Sequence, residues 1–115
     1  MKLKTANKLP SILAAVEATP LTDLTDAELS GCYISDLLSD VLANAQPGVL
    51  WVTIHIHRNV LSVASMTDIA AVLFTCGRKP EAAIIAEAVE KDILLLSTPL
   101  NTYVTAGKLW KAGLR

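Results

Sequence analysis

From residue 49 onward the chain alternates between short unbroken apolar runs and stretches whose apolar residues recur every three or four positions. Residues 49–56 follow the turn Gln46-Pro47-Gly48 and are rich in β-branched side chains, which predicts a strand. Residues 70–75, closing at Gly77, and residues 92–97 predict two more. Runs of this kind suit strands covered on both faces, as in a parallel sheet. Helical periodicity fills the gaps. Asn59 is placed to cap a helix carrying Val60, Leu61, Ala64 and Met66. Pro80 suits a first helical position, with Ile84, Ile85, Ala88 and Val89 on the inner face and Glu87 paired with Lys91 outside. A last helix spans residues 101–112, with Tyr103, Ala106 and Trp110 along one stripe, Lys108 and Lys111 near its end and Gly113 as its cap.

The first third is less regular. Residues 29–34, through Gly31 and Cys32, predict a short strand. Ser35 then caps a helix with Leu37, Leu38, Val41 and Leu42 on one face. Residues 12–18 fit a helix by propensity, but also a strand preceded by a helix at residues 2–8. Alternating strands and helices with short loops give an α/β fold. It has three layers, a mainly parallel sheet with flanking helices and right-handed crossovers. The 115 residues fit one domain, 1–115.

Composition narrows the classes. The chain is 52% apolar and 18% charged, enough for a sizeable core and incompatible with disorder. Aromatics are only 4%, so that core is aliphatic. A net charge of −1 argues against general nucleic-acid binding, which needs a basic surface. Cys32 and Cys76 form no CxxC pair and are too few for a disulfide framework; they read as small buried residues in a reducing cytosol. The basic start, Met1 to Lys8, is followed by no long apolar region, and Glu17 breaks the next apolar stretch. A cytoplasmic protein without a signal peptide is expected. The uncharged run at residues 41–57 breaks at a turn and is no membrane span. No Lys or Arg occurs between Lys8 and Arg58, where Glu17, Asp23, Asp26, Glu28, Asp36 and Asp40 all fall, and Lys108, Lys111 and Arg115 close the chain. This layout reads as a solvated acidic face with a basic helix end, or as a self-complementary surface that steers dimerisation.

Several segments now carry a resemblance. Gly31-Cys32-Tyr33-Ile34-Ser35-Asp36-Leu37-Leu38-Ser39 resembles a glycine-tyrosine-x-serine-aspartate-leucine-leucine-serine stretch of small stand-alone DRTGG-domain proteins, with Cys32 between the glycine and the tyrosine. Trp51-Val52-Thr53, running on to Asn59, is similar to that family's tryptophan-x-threonine strand and Asn-led helix. Thr75-Cys76-Gly77 with Pro80 falls where the family carries a threonine-glycine-glycine turn and a proline. Leu96-Ser97-Thr98, Thr102 and the end Leu109 to Leu114 complete a likeness strongest over residues 29–115. It implies a fold like the N-terminal domain of HPr kinase/phosphorylase. It also implies a regulatory or interaction role without catalysis, as in DRTGG modules appended to CBS-containing pyrophosphatases. Two departures stand out. Cys76 replaces the middle glycine, where a side chain limits backbone approach to an anion. The Asp-Arg pair that names the family survives as Arg58, preceded by His57.

The residues themselves suggest chemistry at one place. His55 and His57, two apart on a predicted strand, point to the same face. Open α/β sheets bind ligands beyond the carboxyl ends of their strands. That edge gathers His55, His57, Arg58 and Asn59 from one loop, Thr75, Gly77, Arg78 and Lys79 from the next, and Ser97 and Thr98 from a third. Helix starts follow each loop, so a phosphate or nucleotide is the natural ligand. The bland alternative is that these Ser, Thr and Asn residues are helix caps and the cations are solvated. A metal held by His55, His57 and Cys76 is a further alternative. No G-x-S-x-G, Walker-type loop or G-x-G-x-x-G is present, and no cofactor is indicated. Asp36 and Asp40, one helical turn apart, read as a dipole partner or a cation pair. Trp51, Tyr33, Tyr103 and Trp110 read as core or interface, with Trp110 a dimer anchor. The expected function is that of a non-catalytic regulatory module, a homodimer that senses a small metabolite or docks a protein partner.

Overall fold

The computed structural model describes residues 8–115. Ten elements follow in order: α1 (Leu9–Ala15), β1 (Thr19–Pro20), β2 (Gly31–Ile34), α2 (Leu38–Asn44), β3 (Val49–Thr53), α3 (Asn59–Thr67), β4 (Ala71–Phe74), α4 (Ala82–Glu90), β5 (Leu95–Ser97) and α5 (Thr102–Ala112). They form a five-stranded sheet in the order β1-β5-β4-β3-β2. The pairs β2–β3, β3–β4 and β4–β5 are parallel; only β1 runs antiparallel, with Thr19 opposite Ser97. This is the expected mixed α/β fold with helices on both faces.

Four parallel strands adjacent in chain order, joined by crossovers of one hand, must carry their helices on one side. The packing agrees. Trp51, Val72, Phe74 and Leu95 face Val41 of α2, the apolar side of α3 and Ala88 of α4. The alternate residues Leu50, Val52, Leu73 and Leu96 face Leu9 and Ile12 of α1 and Leu109 of α5. Every residue of β3, β4 and β5 is buried, which explains why these strands read as unbroken apolar runs.

Element ends depart from the sequence pattern for local reasons. The strand predicted over 49–56 stops at Thr53, because the Ile54 N–H donates to Asp36 Oδ1 and the His55 N–H to Thr53 Oγ1. His55 and His57 therefore lie in a loop and not on one face of a strand. The strand predicted over 92–97 starts only at Leu95, since Asp92 takes φ 56° and the Ile93 N–H closes α4 by donating to Ala88 O. The strands predicted at 29–34 and 70–75 shorten to 31–34 and 71–74. Residues 12–18 are helical only as far as Ala15, and the alternative helix at 2–8 falls outside the described residues apart from Lys8. Ser35 is not the α2 cap; it lies three residues ahead of the helix, where its hydroxyl accepts from the N–H of Leu37, the residue at the cap position. Asn59 is the first residue of α3, not its cap, and Pro80 lies two residues ahead of α4. Leu37, Leu42 and Val89 are exposed, so the inner faces of α2 and α4 are narrower than expected. Tyr103 and Trp110 are also exposed, whereas Trp51 is fully buried. Cys76 is exposed, and only Cys32 is partly buried. No helix of the described residues is long and apolar enough to cross a membrane.

Candidate functional site

The parallel strands β2 to β5 end on one edge of the sheet, and the loops after them carry most of the residues expected to bind a ligand. The β3–α3 loop is held from both ends. Asp36, in the neighbouring loop, accepts from Thr53 Oγ1 at 2.8 Å and from the Ile54 N–H at 2.9 Å. At the far end His57 Nδ1 accepts the Asn59 N–H, the first of α3, at 3.1 Å. The His55 and His57 ring centroids lie 6.2 Å apart at 52°. Arg58 is carried over to α4, where its guanidinium pairs with Glu87; Lys91 meets the same carboxylate at 3.0 Å. Lys91 and Arg58, in that order, hold the Glu87 carboxyl below the usual range through hydrogen bonds.

The second loop begins at Thr75. Cys76 and Gly77 both adopt left-handed backbone, at φ 60° and 68°. For glycine this is free, whereas cysteine meets its own Cβ. A Cβ on Gly77 would meet nothing within 4 Å, so backbone conformation alone asks for glycine there. The amides of this turn are already engaged. The Cys76 N–H donates to Leu100 O at 2.8 Å, that of Gly77 to Thr98 O at 2.9 Å, and that of Arg78 to Thr75 O at 3.1 Å. An anion arriving here meets side chains, not a nest of free N–H groups. Arg78 and Lys79 are exposed, and neither forms an ion pair among the described residues.

The third loop supplies hydroxyls that are structural. Thr98, buried, donates to Val16 O at 2.6 Å and accepts from the Leu100 N–H, tying β5 to the end of α1. Ser97 Oγ donates to Arg78 O at 3.1 Å. Thr75 Oγ1 and Thr102 Oγ1 share a hydrogen bond of 2.7 Å. Of the expected residues, Thr75 and Thr98 thus serve the scaffold in this geometry, whereas Asn59 is exposed and only its backbone N–H is engaged, by His57. Arg78 and Lys79 face solvent, and His55 is half-buried in the loop after β3.

Two expected groupings do not assemble. Asp36 and Asp40 serve separate partners. The Asp40 carboxylate accepts from Tyr33 OH at 2.8 and 2.9 Å and from Asn44 Nδ2 at 2.9 Å. Hydrogen bonds from Ser35, Tyr33 and Asn44 hold its carboxyl below the usual range. The bond to Asp40 raises the Tyr33 hydroxyl in turn. Cys76 does not join the histidine pair, and among the described residues no group of three His, Cys, Asp or Glu is placed to hold a metal. Burial pushes the Cys32 thiol up to about 12, the behaviour of a packing residue and not of a nucleophile. Sequence reasoning missed the Arg58–Glu87 pair, since only the Glu87–Lys91 spacing is visible along a helix. It also missed the Asp36 latch, which depends on β2 and β3 being neighbours.

No protein-family model and no curated protein sequence matches the chain. The fold is similar to a solved structure of the CBS and DRTGG domains from the regulatory region of Clostridium perfringens pyrophosphatase, complexed with its activator diadenosine tetraphosphate. The TM-score is 0.73 at 13% sequence identity, over 93% of this chain and 47% of the other. The chain thus spans just under half the length of the structure it resembles.

Proposed function

We propose that this chain is a non-catalytic regulatory module of the DRTGG kind that senses a phosphate-bearing small molecule, a nucleotide included, at the carboxyl edge of its sheet. The observation that carries the reading is the pair of exposed cations, Arg78 and Lys79, on the loop after β4, neither of them in an ion pair among the described residues. Ligands of open α/β sheets collect at this edge. The likeness to a regulatory region complexed with a dinucleoside polyphosphate supports the ligand class. Because the turn amides are spent within the fold, charge–charge contacts from side chains would supply the affinity, and binding would weaken with salt. Thr75 and Thr98, whose carbonyls accept the Arg78 and Gly77 N–H groups, hold the turn that carries the cations without touching the ligand. The non-catalytic part of the reading is supported by the edge hydroxyls, which are hydrogen-bonded into the scaffold.

Calorimetric titration with ATP, diadenosine tetraphosphate and inorganic phosphate tests this. A saturable heat with at least one of them is expected. The double substitution Arg78→Ala with Lys79→Ala should weaken it by about ten-fold or more, as expected for loss of contacts to a charged group. No saturable binding across the three compounds, or binding indifferent to both substitutions, would remove the proposal.

A further inference from the structure

Arg58 is a third cation of the carboxyl edge, and its side chain is turned away from that edge. β3 and β4 are neighbours, with Thr53 opposite Phe74, and the Thr75 N–H donates to Thr53 O at 3.2 Å. The loop that carries Arg58 and the loop that carries Arg78 and Lys79 therefore leave the sheet side by side. Arg58 takes the cap position of α3, at the same edge. Its guanidinium pairs with Glu87, which stands six residues past the Glu81 cap of α4 and so about 9 Å along that helix, away from the edge.

Little is lost when this pair opens. The Arg58 side chain is 69% exposed, and ion pairs open to solvent add little to stability. Glu87 has a second partner in Lys91, at 3.0 Å, so its carboxylate stays paired when Arg58 departs. The Arg58 backbone is fixed by other contacts. Its carbonyl accepts the Leu61 N–H at 3.0 Å, and the Asn59 N–H that follows it donates to the His57 ring. Side-chain torsions alone separate the arginine on Glu87 from one turned to the edge.

Resting on the phosphate site proposed above, we infer that Glu87 makes an autoinhibitory contact: it holds Arg58 away from that site, and a phosphate group on Arg78 and Lys79 draws the guanidinium back to the edge as a third contact. The ligand must then outcompete a carboxylate. A carboxylic acid offers Arg58 no more than Glu87 already does. A phosphate presents more charge, and a pair of oxygens matched to the guanidinium fork. Glu87 thus sets a threshold that phosphate-bearing ligands pass and simple carboxylic acids do not.

Calorimetric titration of the full chain with ATP and with inorganic phosphate tests this, as a double-mutant cycle over wild type, Glu87→Gln, Arg58→Ala and the double variant. Glu87→Gln keeps the side-chain shape and frees Arg58, and should tighten binding by about three- to ten-fold. Arg58→Ala should erase that gain, so that the double variant binds no tighter than Arg58→Ala alone. A gain that persists without Arg58 is the general effect of removing a negative charge and overturns the inference. By NMR, the Arg58 Nε–H signal of the wild type should move as phosphate saturates, and a signal that stays in place overturns the inference as well. Binding that Arg78→Ala with Lys79→Ala weakens but Glu87→Gln leaves unchanged keeps the phosphate site and removes the autoinhibition. No saturable binding by wild type or by Glu87→Gln removes the site itself, and the inference with it.

Discussion

Thr53 and Asp36 stand 17 residues apart in sequence and are joined at 2.8 Å, the threonine hydroxyl donating to the carboxylate. The same oxygen takes the Ile54 N–H, so one side chain both ends β3 and fixes the start of the loop that carries His55, His57 and Arg58. Thr53 is fully buried. Asp36→Ala leaves its hydroxyl without that acceptor and is expected to cost about 1–3 kcal/mol. Asp36→Asn keeps a carbonyl acceptor and should cost less. Urea unfolding of both variants checks the order. Equal losses would mean that the latch does not depend on its acceptor oxygen.

Much of the fold was legible because the parallel strands announce themselves. A strand buried on both faces has only apolar positions, and Val49 to Val52 or Ala71 to Phe74 read as nothing else. The helices were legible wherever one face was buried, as with Val60, Leu61 and Ala64. What stayed hidden depends on contacts across the sheet. Nothing local distinguishes Ile54 from the strand before it; the amide leaves the ladder because Asp36 is next to it in space. Asn59 falls inside α3 for a similar reason: the N-cap position goes to Arg58, and the first helical N–H, that of Asn59 itself, is taken by the His57 ring ahead of it. The roles of the site residues were the least legible. Thr75 and Thr98 belong to a type that binds ligands and braces loops equally well, and only their partners in the structure separate the two uses.

Thr105 offers a cleaner test of packing. It lies on the inner side of α5, fully buried, and its hydroxyl has no hydrogen-bond partner among the described residues. A buried polar group without a partner costs stability, and a shape-matched apolar group does not. Thr105→Val is therefore expected to stabilise the protein by about 1 kcal/mol. A melting temperature that fell would show that the hydroxyl is satisfied in solution.

The Glu87 carboxyl, lowered by Lys91 and Arg58, makes stability depend on pH in a defined direction. A carboxyl whose folded value lies below its unfolded one contributes stability above the unfolded value and loses it as pH falls through the folded one. Glu87→Gln should accordingly melt lower than wild type at neutral pH, and the gap should close on acidification through the range where carboxylates titrate, around 4. Arg58 and Lys91 are both substantially exposed, so the gap should also shrink in high salt. Melting curves over pH and salt decide this; a gap that persists in acid would mean that Glu87 acts through packing.

Cys76 holds a left-handed backbone at φ 60° in a turn where the resembling family carries glycine. A side chain in that region costs about 1–2 kcal/mol, and glycine avoids the cost. Against this, glycine gives the unfolded chain more freedom, worth about 0.5–1 kcal/mol. The thiol is free and exposed, so little buried surface goes with it. The conformational term is the larger, so Cys76→Gly is expected to stabilise the fold by roughly 0.5–1 kcal/mol. The same variant probes the anion site. The Cys76 and Gly77 amides remain committed to Leu100 O and Thr98 O whichever residue occupies position 76. If phosphate is held by the Arg78 and Lys79 side chains, its affinity should stay within about two-fold of wild type while the melting temperature rises. A large gain in phosphate affinity on Cys76→Gly would instead mean that the turn opens and offers its backbone to the anion.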